Sequence, residues 1–409
     1  MNLSHTEQLF LEAIRAALCG ETVPWEQVEP EEWNALINLS AAHKLHPMIV
    51  DAVYESPAAV LWEQFAQQKK SAKAQVMAQA IRTTEIFSVY EKLLAAGYRP
   101  LVVKGILCRS VYPNGDLRQS SDEDLYVTEK DFSGCCAALK SCGMYSISAE
   151  DDTDVFEIGW RKQNSPICIE LHKSLFSRNS TAVNMLQSYF TDSFACAHEY
   201  QTEVGTVWSL SPHDHLLYLI LHAYKHFILS GFGIRQICDI GLWAKTYFDK
   251  INWTDLYRQC NEAHALKFAS AIFTTAEKYL SIDIQLPDGW NEMHTDCGPL
   301  LKDALCAGIY GSANKSRAHS ASVTLNAVSA ERKRKHSSVL QSVFPSKDKL
   351  KGDYPILKKC AAALPFVWCI RLWKYKKETG DDQQNRARDS LKIAKERMKL
   401  LMYYDIIEK

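Results

Sequence analysis

The chain predicts an α+β fold, a small mixed β-sheet core flanked by N-terminal and C-terminal helical regions. Three observations carry this. Apolar residues recur at helical spacing before residue 97 and again after residue 210. Between those limits, short β-rich runs are punctuated by Gly, Pro and Asn turns. That central stretch reads strand, helix, strand, helix and then further strands, the order of a small sheet with helices laid on it.

Residues 1–96 form the expected N-terminal helical region. Leu9, Phe10, Ala13, Ile14 and Ala17 share one helical face. Further helices are expected over 31–38 and onward to 55, and a long one over 62–95 that stops near Gly97. No chemistry is visible there, so packing or partner contact is its expected role. Residues 97–210 form the expected α/β core. It holds a strand over 101–103, a helix over 105–111, a turn at Tyr112-Pro113-Asn114-Gly115, a strand over 124–127, and a helix over 130–141 stopped by Gly143. Residues 155–161 and 167–172 read as a hairpin about Gln163-Asn164-Ser165-Pro166, and 190–197 and 205–210 as added edge strands.

Residues 211–307 form an expected helical domain lining a cleft. Ser211-Pro212-His213-Asp214 is a strong helix start: a capping hydroxyl, Pro at the first helical position and an acid in the first turn. That helix should run to about 229 and stop at Gly231-Phe232-Gly233, with helices following over 234–246, 253–263 and 266–280. Residues 308–409 combine a Gly, Ser and Asn-rich loop, the basic run Arg332-Lys333-Arg334-Lys335, an apolar and aromatic stretch over 364–373, and a basic amphipathic helix over 386–402.

The 409 residues carry a formal net charge of −1, which removes any bulk electrostatic case for nucleic acid. The 13 cysteines show no C-x-x-C spacing, and no secretory leader is visible, so a cytoplasmic protein with reduced thiols is expected. No apolar run approaches the ~20 residues that span a bilayer. The basic C-terminal region leaves peripheral contact with an anionic membrane as an expectation.

The chemistry concentrates in Ser121-Asp122-Glu123-Asp124-Leu125-Tyr126-Val127. Side chains alternate along a strand, so Asp122 and Asp124 share a face, ~6.6 Å apart, and Glu123 takes the other. Two carboxylates on one face suit a divalent metal held against a polyphosphate, and such sites use two or three acids. Glu170, in the apolar run Ile167-Cys168-Ile169-Glu170-Leu171-His172, is the expected third, because an acid buried there needs a partner. His172 falls on the same face and is placed to orient the site or touch substrate. Upstream, Lys104-Gly105 opens a helix whose free N–H groups suit phosphate, with Lys104 and Arg118 supplying positive charge.

Lys104-Gly105, Tyr112-Pro113, Leu117-Arg118 and the 121–127 block together resemble the uncharacterised bacterial nucleotidyltransferase family of the DNA polymerase β-like nucleotidyltransferase superfamily. Ile169-Glu170-Leu171-His172, His222 with Lys225-His226, and Arg235 with Asp239 extend the resemblance. So do the N-terminal stretch from Trp33-Asn34 to His46-Pro47 and the C-terminal stretch from Tyr354-Pro355 to Arg371. The resemblance implies transfer of a nucleoside monophosphate from an NTP to an acceptor, with Mg2+ or Mn2+. It implies no particular acceptor: a sugar, another small molecule, a protein hydroxyl or a nucleic-acid end. The Gly-Ser that the superfamily usually carries at its phosphate helix is replaced here by Gly105-Ile106.

His215, His222 and His226 fall on one stripe of the helix after Ser211, which makes His222 and His226 cleft-lining substrate candidates. Their i, i+4 spacing also admits zinc, though without the H-E-x-x-H context. Arg235 and Asp239, likewise four apart, are expected to pair with each other. The resulting expectation is a metal-dependent nucleotidyltransferase in which Asp122, Asp124 and Glu170 hold the metal. The alternative is a catalytically inactive nucleotide-binding or partner-binding protein of the same fold.

Overall fold

The structure, a computed structural model, describes residues 2–147 and 155–309, apart from 22, 24, 178, 179, 181 and 294. Beyond 309 it describes 324, 325, 327–329, 346–350, 354, 356–380 and 387–408. The loop expected after 308 and the basic run Arg332–Lys335 lie almost wholly outside these residues.

Five helices precede the sheet: α1 (His5–Cys19), α2 (Pro30–Ala42), α3 (His46–Ala52), α4 (Pro57–Leu61) and α5 (Phe65–Ala95). The sequence dictates their ends. Ser4 and Glu7 close a reciprocal capping box on α1, and Gly20 ends it in the left-handed region at φ 70°. Proline opens α2 and α4 at their first turns. The apolar face of α1 is sealed, with Phe10, Ala13 and Ile14 fully buried.

The sheet is built from β1 (Leu101–Val102), β2 (Glu123–Tyr126), β3 (Met144–Ser146), β4 (Glu157–Lys162) and β5 (Cys168–His172), in the order β1-β2-β5-β4-β3. A short helix, α6 (Ile106–Arg109), follows β1, and α7 (Glu129–Ser141) crosses from β2 to β3. β2 and β5 pair in parallel; every other pair is antiparallel, so the sheet is mixed. The hairpin expected around Gln163–Pro166 is β4–β5. The two added edge strands are corrected. A 3-10 turn ends at Phe190, and β6 (His198–Thr202) pairs only with β7 (Gly205–Ser209) in a separate ribbon. Ser209 still reaches the main sheet, donating its hydroxyl to the Val102 carbonyl at 2.5 Å.

After the ribbon come α8 (Pro212–Leu229), α9 (Ile234–Thr246), α10 (Trp253–Glu262), α11 (Leu266–Leu280), α12 (Asp288–Asn291) and α13 (Gly298–Ala307). The Ser211 hydroxyl caps α8 by accepting the Asp214 N–H at 3.1 Å. Thirteen of the residues of α8 are buried, so the helix runs through the core rather than over it. One continuous hydrophobic cluster links α1, the sheet, α8–α11 and the closing helix Ala387–Tyr403. That last helix was expected as a basic solvated or membrane-facing face. Its apolar side docks, with Leu401 and the following Tyr404 buried and Arg397 paired to Asp303 at 3.4 Å, while Lys392, Lys395 and Lys399 stay exposed. No helix among the described residues is long and apolar enough to cross a membrane.

Candidate active site

Parallel pairing of β2 with β5 sets Asp124 opposite Glu170 and Tyr126 opposite His172. Two acids far apart in sequence thus become neighbours on one face of the sheet. Asp124, Glu170 and His172 bring ligand atoms within 4.8 Å of one another, the one group able to hold a metal ion among the described residues. Hard carboxylate oxygens in that arrangement fit Mg2+ or Mn2+.

Asp124 is 1% exposed and both of its oxygens are engaged. Oδ1 stands 3.0 Å from His172 Nε2, and Oδ2 stands 3.0 Å from Lys104 Nζ. Burial alone raises a carboxyl pKa, but the Lys104 ammonium and the His172 hydrogen bond outweigh it and hold Asp124 well below the usual range. The imidazole responds in the opposite sense. Burial favours its neutral form, yet hydrogen bonds to Asp124 and Glu170 push His172 up to about 9. Its second nitrogen lies 3.3 Å from Glu157 Oε2, an acid that the sequence reading missed because only the β4–β5 register brings it here.

Asp122 lies just before β2. Burial and the neighbouring Asp124 charge raise its pKa, against the pull of Lys104 and Arg235. Its flanking loop is strapped by cations from three separate segments: the turn between α2 and α3, α5 and α9. Lys44 donates to the Ser121 hydroxyl, Arg82 to the Ser120 carbonyl, and Arg235 to the Gln119 carbonyl.

Glu123 faces the other way and does something the sequence did not disclose. It accepts the Ile106 N–H at 2.7 Å, and it lies 3.6 Å from the Arg109 guanidinium. Gly105 sits at φ 59°, and a Cβ there would land on the Glu123 carboxylate. The amide expected for phosphate at the start of α6 is therefore already bonded to the protein's own carboxylate. Burial drives the Glu123 pKa up to about 7, although Arg109 and the Ile106 amide pull it down.

Arg118, expected on phosphate, is 3% exposed and committed elsewhere. Its Nε and Nη2 grip Asp239 at 3.1 and 2.6 Å, and its Nη1 meets the Ser120 hydroxyl at 2.6 Å. Tyr112 adds a third bond to Asp239 at 2.7 Å. The expected Arg235–Asp239 pair is corrected accordingly: both Asp239 oxygens are taken by Arg118 and Tyr112, and Arg235 turns to the Gln119 loop.

From α8, His222 Nε2 stands 3.3 Å from Lys104 Nζ and 3.3 Å from His226 Nε2. The ammonium can only donate, so His222 accepts through Nε2 and is neutral. Burial, and then the Lys104 charge, hold its pKa well below the usual value. The same observation counts against zinc: the nitrogen that would ligate it already accepts from a lysine, and no third donor joins the pair among the described residues.

The family model described as uncharacterised nucleotidyltransferase matches residues 29–281, which span α2 to α11 and include every side chain of this site. The chain belongs to this family. No curated protein and no solved structure matches it. In this member of the family, Asp124 of the two-acid motif stands beside Glu170 across a parallel strand pair, with His222 of α8 against Lys104.

Proposed function

We propose that the protein transfers a nucleoside monophosphate from an NTP to a hydroxyl-bearing acceptor and releases pyrophosphate. The observation that carries this reading is the β2–β5 register, which sets Asp124 beside Glu170 with Lys104 and His172 on the same carboxylate. Asp122, Asp124 and Glu170 would hold a divalent cation, Mg2+ or Mn2+. When bound, such a cation neutralises charge on the phosphates and orients them.

The rest of the chemistry belongs to the chain. His172 and Lys104 keep Asp124 ionised and fixed. Glu170, with its side chain 36% exposed, is the acid that an acceptor can reach; it either completes the metal site or takes the proton of the attacking hydroxyl. A bond forms between the acceptor oxygen and the α-phosphorus, and the bond from that phosphorus to the bridging oxygen breaks. Lys104 offsets negative charge on the departing pyrophosphate. Arg118, locked to Asp239, positions the loop that leads into Asp122.

Calorimetric titration with a non-hydrolysable NTP and Mg2+ tests the reading. Wild type should bind only with metal present, and Asp124→Asn or Glu170→Gln should abolish binding while melting stays cooperative. No binding by wild type, or unchanged binding by both variants, overturns it.

A second reading is a nucleotide-binding or partner-binding protein that has lost catalysis. It is favoured by the Glu123 carboxylate sitting on the Ile106 amide, where the superfamily holds phosphate. NTP binding without pyrophosphate release in the presence of cell extract selects it. The cytoplasmic setting belongs to the same proposal and is supported by 13 cysteines that all stand as free thiols.

A further inference from the structure

Asp124, Glu170 and His172 each bring a ligand atom within 4.8 Å of the others, and Asp122 stands outside that group. The donor that completes the group is therefore an imidazole nitrogen. His172 Nε2 lies 3.0 Å from Asp124 Oδ1 and 3.7 Å from Glu170 Oε2. Adjacent ligands of a six-coordinate ion with bonds of about 2.1 Å are about 3 Å apart, so the spacing suits one shared cation. Lys104 occupies the other Asp124 oxygen, Oδ2, at 3.0 Å and leaves Oδ1 to face the ring. The far side of the imidazole is arranged in the same sense. The β4–β5 register sets Glu157 opposite His172, and Glu157 Oε2 lies 3.3 Å from Nδ1. A histidine that ligates a metal through one nitrogen turns the other toward a carboxylate or carbonyl, which fixes the ring and its tautomer. The His172 side chain is 6% exposed, so its ring is held between these acids.

We propose that His172 Nε2 is a ligand of the cation, beside Asp124 and Glu170, and that this mixed set selects Mn2+ over Mg2+. Mg2+ takes oxygen ligands and gives up its waters reluctantly, so an imidazole in the set counts against it. First-row dications accept imidazole beside carboxylate, and a set richer in oxygen than nitrogen favours Mn2+ among them. On binding, Nε2 gives up to solvent the proton it shares with Asp124 and takes the ion in its place. The assignment rests on the nucleotidyl-transfer reading for the cation's task and names the cation.

The test uses the full chain and the metals alone. Calorimetry measures Mn2+ and Mg2+ binding to wild type and to His172→Gln, which keeps a hydrogen-bond donor for Asp124. Spin-echo EPR of bound Mn2+ is recorded with ordinary and with heavy-nitrogen-labelled histidine. Wild type should bind Mn2+ at least about 10-fold more tightly than Mg2+, with a nitrogen modulation that changes on histidine labelling. His172→Gln should lose that modulation and weaken Mn2+ binding at least about 10-fold, while Mg2+ binding stays within about threefold. Bound Mn2+ without nitrogen modulation overturns the assignment, as does modulation that survives in His172→Gln. Equal affinity of wild type for the two metals also overturns it, as does no Mn2+ binding at all. Nitrogen-ligated Mn2+ in a protein that binds no non-hydrolysable NTP would keep the ligand and fail the nucleotidyl-transfer reading. NTP binding with Mn2+ held by oxygen alone would do the reverse, so the two failures are distinguishable.

Discussion

Asp124 and Glu123 are adjacent in sequence, both are essentially fully buried, and they face opposite sides of the same strand. Yet one is held ionised and the other is pushed toward its neutral form. Burial acts on both in the same direction, so the difference lies in their partners. On the cleft side Asp124 has an ammonium and an imidazolium, each at 3.0 Å. On the other side Glu123 has one amide at 2.7 Å and a guanidinium at 3.6 Å, with its Oε1 making no hydrogen bond. The Asp124 face thus holds a charge in place at the proposed metal site, and the opposite face uses a carboxylate to fasten the turn between β1 and α6.

The comparison breaks most visibly at Asp124. Asp124→Asn should reduce nucleotidyl transfer by at least about 10³-fold, because it removes the charge that His172 and Lys104 hold in place. Pyrophosphate release measures this, and a loss of less than tenfold would remove Asp124 from the chemistry. Next in size is Gly105→Ala, which drives a methyl group onto Glu123 and requires a positive φ. It should cost about 2–4 kcal/mol in urea unfolding. Full stability would mean that the turn is free to move away from Glu123.

The third prediction concerns pH. The folded pKa of Glu123, about 7, lies above its ordinary value of 4.5, so the folded state binds the proton more tightly. The stability from this group is fully present below pH 4.5 and is lost as pH rises through about 7. The slope is at most about 1.4 kcal/mol per pH unit. Glu123→Gln should flatten that part of the stability curve, and an unchanged slope would place the titration elsewhere. Smallest is Thr83→Val. Thr83 Oγ1 accepts the Arg109 Nη2 hydrogen at 2.6 Å, and its loss should cost about 1–2 kcal/mol while leaving NTP affinity unchanged. A matching loss of NTP affinity would show that the two faces are coupled.

How far each of these faces could be read from sequence follows from the range of the interactions involved. Short-range signals were plain. The Ser211-Pro212 cap, the glycine ends of α5 and α7, and the alternation that separates Glu123 from its two aspartate neighbours are local chemistry, and all appear in the structure. Glu170 stood out as an acid inside an apolar β-run, although its side chain is 36% exposed and not buried as that argument supposed. The task of Glu123, the Arg118–Asp239 grip and the Glu157 contact were not findable. Each depends on which distant segment lands beside which, and residue type carries no record of that. The β6–β7 ribbon failed for a related reason: β-rich composition marks a strand but does not name the sheet that it joins.

The parallel pairing of β2 with β5 also bears on how the protein is made. Such a pair cannot close as a hairpin; α7, β3 and β4 must be laid down first, and contacts of this span form late in folding. On the ribosome, Asp122 and Asp124 emerge long before Glu170, and α8 later still. The nascent chain therefore displays Asp122 and Asp124 before Glu170 and α8 exist. The proposed metal site is therefore completed only after β5 has been made and has paired with β2.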